Sequence, residues 1–372
     1  MTDTVLILGG TGRIGRAVAA DLVAHTQARI TITGQHLPRG AAVARALGPA
    51  VTFLPLALED EPALHRAIAA HTLIIHCAGP FLYRDTQVLQ ACIEHEVNYL
   101  DVSDNRSFTL KALAAKEAAA AAGVTAIINT GIFPGISNSM VRRDMEQLDV
   151  AEQIHLSYVV SGSGGAGVTV MRTTFLGLQQ PFPVWIGGQW QEVKPYSDRE
   201  TVPFPPPYHQ GHVYWFDMPE AFTLPESFPE VRTVMTKFGS VPDFYNHLTW
   251  IAAHIFPKSW MHNPGAIEFL SHVSYGMTAV TDLCSGIGVA IRSEVQGAKN
   301  GQSIRCQSTL VHANTAIAAG VGTGSLAELM LAGQLRKPGV WPVEQALTTP
   351  LFEQMMTSRG IQIDSTFSPV VH

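Results

Sequence analysis

The sequence predicts an α/β protein: a doubly wound parallel sheet at the N-terminus, followed by a second, α+β domain with a largely antiparallel sheet. Over the first 130 residues, apolar runs typical of buried strands alternate with segments of helical periodicity. From residue 181 to 230 the chain is rich in aromatic residues and proline, which favours edge strands and ordered loops. Residues 286–312 alternate polar and apolar side chains around "GAKNG", a pattern typical of an antiparallel hairpin.

The elements of the first part follow in order. Their apolar runs, expected for strands buried on both faces, predict strands at residues 4–10, 28–34, 51–58, 72–79, 98–103 and 124–130. Helical spacing of apolar residues predicts helices at residues 12–25, 39–48, 59–71, 85–96 and 107–123. In the second part we expect a strand at 153–163, a strand carrying Arg172, the hairpin, a helix over 314–332 and a short C-terminal helix.

Composition narrows the class of protein. The chain has 372 residues, of which 46% are hydrophobic and 15% charged, which is typical of a globular protein of two domains. The net charge is −6 and there is no basic run, so nothing indicates a nucleic-acid partner. The four cysteines are far apart in the sequence, which favours reduced thiols. With no apolar run of about 18 residues and a strand starting after "MTDT", we expect no transmembrane segment and a cytoplasmic location.

A glycine-rich loop joins the first strand to the first helix. It reads "GGTGRIG" and has the spacing Gly-x-Gly-x-x-Gly in the context that a dinucleotide-binding Rossmann fold requires. Its glycines permit a tight turn, close approach of a pyrophosphate to the backbone, and close packing of helix on strand. The predicted cofactor-binding residues here are Gly9, Gly10, Thr11, Gly12, Arg13, Ile14 and Gly15.

The end of the second strand predicts which dinucleotide binds. NAD sites place an acidic residue there to accept the ribose 2′-hydroxyl, whereas a 2′-phosphate requires neutral donors and a cation. This sequence has no acid at that place and offers Thr33, Gln35, His36 and Arg39 instead. We therefore predict NADP as the cofactor. For Arg39 the alternative is an ordinary surface charge with no role in cofactor binding.

A further turn, "AGPF", follows the fourth strand. Ala78, Gly79 and Pro80 lie at the carboxyl end of a parallel strand, where the ribose and nicotinamide of a dinucleotide are expected. With "GGTGRIG", "NYLDVSD", "GIFPGISN" and the tail "LAGQLRKPGVWPVEQAL", this turn resembles the saccharopine dehydrogenase-like NADP-dependent oxidoreductases.

The resemblance implies an NADP-binding domain, an α/β second domain and hydride transfer at an imine carbon. Its members also include enoyl-reductase-like proteins and proteins without an assigned reaction. One feature departs from the family: the 181–260 region is unusually aromatic and proline-rich for a site that binds a small dicarboxylic amino acid. The Tyr-x-x-x-Lys pair of short-chain dehydrogenases is absent, which argues against that mechanism.

The predicted domains are residues 1–130, an NADP-binding Rossmann domain completed by 320–372, and residues 131–319, a substrate or catalytic α+β domain. We predict the return to the first domain from a helix with small residues at helical spacing, which are Ala316, Ala319, Gly320, Thr323 and Gly324. After "KPG" ends this helix, we expect Trp341 to pack against the first domain. The alternative is that this helix caps its own sheet.

Three residues are candidates for catalysis. Asp101 ends the fifth strand, where an acid could orient the nicotinamide ribose or relay a proton; a turn-capping aspartate is the alternative. Tyr99 shares its face and could hydrogen-bond substrate, although core packing would also explain it. Arg172, after the glycine-rich "SGSGGAG", could clamp a carboxylate, or it could be a surface arginine.

Asn138 and the histidines are weaker candidates. Asn138 in "GIFPGISN" could contact the nicotinamide amide or substrate, or belong to a capped hinge. Only His209 and His212 have a spacing compatible with zinc, and no cysteine is near, so we predict no metal.

The sequence therefore predicts an NADP-dependent oxidoreductase. We expect it to act at a C–N or activated double bond of a small metabolite, with substrate bound between the domains. The alternatives are an NADP-binding redox sensor or scaffold without turnover, and an enoyl-reductase-like enzyme with an apolar substrate. A homodimer is left open.

Overall fold

The computed structural model describes residues 3–164 and 167–370. Within them the strands, β1 to β16 in chain order, are Thr4–Leu8, Arg29–Gly34, Val51–Pro55, Leu73–His76, Asn98–Asp101, Thr125–Ile128, Val150–Ser161, Phe182–Ile186, Gln189–Val193, Glu200–Pro203, Gln210–Trp215, Thr233–Val241, Val289–Lys299, Gln302–His312, Gly339–Pro342 and Asp364–Pro369. The helices, α1 to α15, are Arg13–His25, Leu37–Leu47, Glu61–Ala69, Gln87–Glu94, Arg106–Leu113, Lys116–Ala121, Ile136–Met145, Val168–Leu176, Glu220–Ser227, Phe244–His254, Lys258–Met261, Pro264–Ser285, Thr315–Leu331, Val343–Ala346 and Thr349–Ser358.

The chain divides into two compact units. The first contains the described residues of Met1–Ile136 and Ala316–Thr348, and the second those of Ser137–Thr315 and Thr349–His372. Each unit has its own sheet.

The sheet of the first unit has seven parallel strands in the order β15-β6-β5-β4-β1-β2-β3. The chain leaves β1 toward β2 on one side and later returns to β4 on the other, so β1 and β4 flank the point where the strand order reverses. Ligands of open α/β sheets bind at the carboxyl edge beside such a point. The predicted doubly wound parallel sheet is confirmed, and its carboxyl edge positions the candidate site.

The helix α13 packs within the first unit, apart from its first residue. A side chain at Gly320 would come within 2.6 Å of the backbone of Ala17 in α1, so the two helices touch at this glycine. The segment "KPGVWP", predicted to end this helix and to lay Trp341 against the first domain, contains β15, which extends the sheet beside β6. Trp341 of β15 makes cation–π contacts with Lys116 and Lys337, whose ammonium nitrogens lie 3.7 and 3.8 Å from its ring centroids.

The second unit contains a mixed sheet in the order β10-β11-β12-β7-β13-β14-β16, to which β8 and β9 are attached. Only β12 and β7 run parallel among these pairs, so the prediction of a largely antiparallel sheet is confirmed. The hairpin turn is shorter than "GAKNG": pairing continues to Lys299 and Gln302, and only Asn300 and Gly301 turn. Both have positive φ angles, +52° and +74°, as a tight two-residue hairpin turn requires.

Two expectations about the second unit were wrong. Arg172 lies on helix α8 and not on a strand, because this segment packs against the long helix α12 and tertiary packing overrides the strand preference of its Val and Thr residues. Residues 349–372 group with the second unit, because β16 pairs with β14 from Asp364 to Pro369.

Candidate functional site

The glycine loop after β1 is shaped by backbone contacts that exclude side chains. Gly9 has φ +73°, and a Cβ there would lie 2.9 Å from the backbone of Ala78 after β4. At Gly15, a Cβ would lie 2.6 Å from the Gly9 carbonyl oxygen. Gly9, and not Gly10, therefore takes the left-handed conformation that tightens the turn.

Thr33 in β2 holds this loop in place. Its hydroxyl accepts a hydrogen bond from the Gly9 amide at 3.2 Å, and its carbonyl accepts one from the Thr11 amide at 3.2 Å. The side chain is buried. Thr33 therefore fixes the backbone of the glycine loop, whereas the sequence analysis predicted that it contacts a phosphate.

Helix α1 begins directly after the loop and presents an N-terminus to it. Gly12 is the N-cap residue, no side chain caps the helix, and no acidic residue occurs in its first turn. The first residues of the helix are Arg13 and Ile14, and Arg16 donates to the Gly12 carbonyl at 3.3 Å. Uncapped amide groups, the helix dipole and a nearby guanidinium together favour an anion such as a pyrophosphate.

The residues after β2 fit a 2′-phosphate. Gln35, His36 and Arg39 are exposed, His36 is the N-cap of α2, and the first turn of α2 contains no acidic side chain. This end of the site therefore presents a cation and neutral donors without a competing carboxylate, the combination that NADP requires.

The turn after β4 contains a buried histidine that the sequence analysis missed. His76 is fully buried against the rings of Phe81 and Phe108, and its Nδ1 accepts the amide of Ala78 at 3.3 Å. Burial, followed by the charge of Arg84, lowers its pKa to about 3, so the ring is neutral. The signal was present as a lone polar residue ending the apolar run "LIIH".

The side chain of Arg84 also fixes the turn after β4. Arg84 donates to the Ala78 carbonyl at 3.0 Å and pairs with Glu59 at 3.1 Å. Gly79 and Pro80 follow in the chain and lead into a short 3-10 helix at Phe81–Tyr83. Ala78, Gly79 and Pro80 thus sit at the carboxyl edge of the sheet, beside the glycine loop that approaches Ala78.

Asp101, at the end of β5, is fully buried. One carboxylate oxygen accepts the amides of Ser103 and Asn129, each at 3.0 Å, and so joins the ends of β5 and β6. The other, Oδ2, has no hydrogen-bond partner among the described residues. Burial raises the pKa of Asp101 to about 6, although the amides of Asn129 and Ser103 and the Tyr99 hydroxyl act to lower it.

Tyr99 is also fully buried, on the same face of β5. Burial raises its pKa, and the nearby Asp101 charge adds to that effect. Its hydroxyl interacts with the Asp101 carboxylate, although the two groups do not meet in the geometry of a full hydrogen bond. Tyr99 and Asp101 are therefore brought together with His76, which pairs with Asp101 in the strand register. None of the three reaches the surface.

Asn129 completes this edge and was not identified from the sequence. It has φ +60° and donates from its amide to the Ser103 carbonyl and the Thr109 hydroxyl, both at 2.9 Å. The hydroxyl of the next residue, Thr130, donates to the Asp101 carbonyl at 2.8 Å. A polar network thus fixes the carboxyl edge from inside.

The remaining candidates lie in the second unit. Arg172 is engaged in a bidentate pair with Glu268, with distances of 2.6 to 2.8 Å. In the glycine-rich segment before it, Gly165 lies outside the described residues, whereas Gly162 and Gly164 have positive φ angles. The described residues thus show an arginine whose charge is already balanced.

Asn138 lies in a buried polar group at the start of α7. The Ser137 hydroxyl lies 3.3 Å from Asn138 Oδ1 and donates to Glu220 at 3.0 Å. Glu220 also accepts the Tyr158 hydroxyl at 2.9 Å. Glu220 was not identified as a candidate, because nothing near it in the sequence marks "MPEAF" as a buried site.

The described residues contain neither a metal-binding cluster nor a membrane-spanning helix. No group of three or more His, Cys, Asp or Glu side chains in residues 3–164 and 167–370 could hold a metal ion, and His209 and His212 join no such group. None of the helices in that part of the chain is long and apolar enough to cross a membrane.

Comparison with known proteins bears on the first unit most directly. Residues 5–127 match the model of the family described as saccharopine dehydrogenase NADP binding domain. The predicted resemblance and the predicted cofactor, NADP, are both confirmed by this match. No curated protein matches the chain.

Two solved structures are similar in different degrees. Apo histidine-tagged saccharopine dehydrogenase (L-Glu forming) from Saccharomyces cerevisiae aligns over 98% of this chain and 100% of its own, with a TM-score of 0.73 and 13% identity. At that identity the likeness shows the fold alone. PbgP3 from Burkholderia pseudomallei aligns over 27% of this chain and 38% of its own, with a TM-score of 0.24 and 13% identity. That score is too low to indicate a shared fold. The family match at residues 5–127 supports an NADP-dependent oxidoreductase.

Proposed function

Because this chain carries a saccharopine dehydrogenase NADP-binding domain at residues 5–127, we propose that it reduces or forms an imine, or a related activated double bond, of a small metabolite. The observation that carries the proposal is the pairing of the uncapped α1 N-terminus and glycine loop with an acid-free end of β2. When bound, NADPH supplies a hydride from its nicotinamide ring.

The residues of this chain have distinct roles in the proposal. Gly9 to Gly15 and the α1 amides hold the pyrophosphate, and Gln35, His36 and Arg39 hold the 2′-phosphate. Ala78, Gly79 and Pro80 line the edge where the nicotinamide ribose is expected.

Asp101 is proposed as a positioning residue. Its Oδ1 fixes two backbone amides at the ends of β5 and β6, which sets the shape of the carboxyl edge. Its Oδ2 completes no hydrogen bond within the described residues, although the Tyr99 hydroxyl interacts with this carboxylate; we propose Oδ2 as the atom that accepts a hydroxyl or holds a proton. Tyr99 is proposed to support Asp101 from the same face of β5.

A protein that binds NADP without turnover is the second candidate. The observation that favours it is the complete burial of Asp101 and Tyr99, which leaves the predicted proton-handling groups without an exposed atom. A third candidate is an enoyl-reductase-like enzyme. It is favoured by an aromatic cleft of about 370 Å³ within the second unit, lined in part by Tyr196, Tyr214 and Trp250.

NADPH oxidation by the full chain separates these candidates. The assay uses pairs of 2-oxo acids and amines in one set and enoyl compounds in the other, with Gly15→Val as the control that cannot bind cofactor. Turnover with the first set, absent in the control, supports the proposal. Turnover with enoyl compounds alone favours the third candidate, and cofactor binding without turnover in either set contradicts an enzymatic role.

A further inference from the structure

The aromatic cleft of the second unit is formed by three elements: the turn between β9 and β10, the strand β11 and the helix α10. The residues that line it include Tyr196, Asp198, Arg199, Tyr214, His247 and Trp250. The rings of Tyr196 and Tyr214 are stacked, with their centroids 4.5 Å apart and their planes inclined by 8°. The volume of about 370 Å³ lies within the range of sites that bind small molecules.

The turn that contributes to this cleft is held in a strained conformation. Tyr196 and Asp198 have positive φ angles, +56° and +53°, which residues other than glycine adopt only at a cost in energy. The buried Lys237 donates to the Asp198 carbonyl at 3.1 Å and to its carboxylate at 2.8 Å. The Tyr196 hydroxyl donates to the buried Asn246 at 2.6 Å. Because strain of this kind persists where surrounding contacts enforce it, and is common at binding sites, we interpret the turn as a support for the cleft.

Arg199 is a cation of the cleft that keeps hydrogen-bonding capacity. Its side chain is 48% exposed, and it contacts Asp243 at 3.0 Å and interacts with the Tyr214 hydroxyl. A guanidinium has five N–H donors, so these two contacts leave donors for a ligand. Asp243 also accepts the Asn246 amide at 2.8 Å and lies 3.7 Å from Nδ1 of His247. Asp243 therefore keeps other partners when a ligand engages Arg199.

We propose that the cleft binds an aromatic carboxylate, with the ring against Trp250 and the carboxylate on Arg199. Trp250 is 42% exposed, so its indole is open to a planar ring, and aromatic pairs attract each other beyond the area that they bury. The planar fork of a guanidinium matches the two oxygens of a carboxylate. An amine would meet acids whose charge is already balanced, since Asp198 pairs with Lys237 at 2.8 Å. The proposal concerns binding and does not depend on imine reduction.

Calorimetric titration of the full chain tests the class of ligand. The probes are benzoate, trans-cinnamate and indole-3-acetate, each compared with its neutral amide, and cyclohexanecarboxylate as an acid without an aromatic ring. We expect saturable binding of at least one aromatic acid, at least tenfold weaker binding of its amide, and weaker binding of cyclohexanecarboxylate. The proposal is overturned if none of the three aromatic acids binds saturably at millimolar concentration, or if acid and amide bind equally.

Two variants, each with a matched control, test whether the acid binds in this cleft. Arg199→Gln should weaken binding of the acid at least tenfold and leave that of the amide unchanged, whereas Arg232→Gln, at an exposed arginine outside the cleft, should change neither. Trp250→Leu should weaken binding of acid and amide alike, whereas Trp260→Leu, at a 56% exposed tryptophan of α11, should not. An Arg199→Gln variant that keeps the preference for the acid, or a Trp250→Leu variant with wild-type affinity, contradicts the assignment.

Discussion

Replacing Asp101 by Asn should change how stability depends on pH. The pKa of Asp101 rises from 3.8 to about 6 because the carboxylate is buried, so the folded protein binds this proton more tightly than the unfolded chain. The stabilising contribution is complete below about pH 4 and is lost as the pH rises through 6. The rise in pKa corresponds to about 3 kcal/mol of unfolding free energy between pH 4 and pH 7.

The Asn variant is spared this loss, because its side chain carries no charge and keeps an oxygen for the amides of Ser103 and Asn129. Its unfolding free energy relative to wild type should therefore rise by about 3 kcal/mol from pH 4 to pH 7. Urea unfolding followed by circular dichroism measures the difference, and hydrogen exchange of peptides from β5 and β6 locates it.

Asp144→Asn is the matched control. Asp144 is buried in the second unit and its pKa is also raised to about 6 by burial, so its effect should appear in peptides of α7 and not in β5. A difference between Asp101→Asn and wild type that stays flat from pH 4 to pH 7 would refute the raised pKa of Asp101.

Three other changes test the cofactor domain. Arg39→Ala should raise the Kd for NADPH about tenfold or more and leave that for NADH unchanged, because a charge-assisted contact is lost; Arg29→Ala, exposed at the other end of β2, should change neither. Gly9→Ala should weaken NADPH binding and cost about 1–2 kcal/mol of stability from its φ alone, which calorimetry measures. Gly320→Val should lower the stability of the first unit by roughly 1–3 kcal/mol, because its side chain would strike Ala17; an unchanged melting temperature would show that α13 does not pack on α1.

Local patterns in the sequence predicted the parallel sheet well, because each buried strand is a short apolar run bounded by a turn. Val5 to Leu8 is such a run, and all four side chains are fully buried. The glycine loop could also be located, since its spacing reflects contacts with the strand and helix that adjoin it. Which glycine takes the positive φ depended on the approach of Ala78, about 70 residues away in the sequence, and that could not be read from the loop.

The parts that could not be predicted depend on contacts distant in the sequence. The strand expected at Arg172 is a helix because α8 packs on α12, about 100 residues later. Asn129 acquires its role through Asp101, Ser103 and Thr109, none of which lies near it in the chain. No local pattern distinguishes such residues from ordinary turn residues.

The preference for NADPH over NADH tests the account most directly. The measurement is a fluorescence titration of the wild-type full chain with each cofactor in the same buffer. The exposed Gln35, His36 and Arg39, with no acidic side chain in the first turn of α2, predict tighter binding of NADPH. A Kd for NADPH at least tenfold below that for NADH is the expected result. Equal affinities, or tighter binding of NADH, would contradict the assignment of this end of the site to a 2′-phosphate.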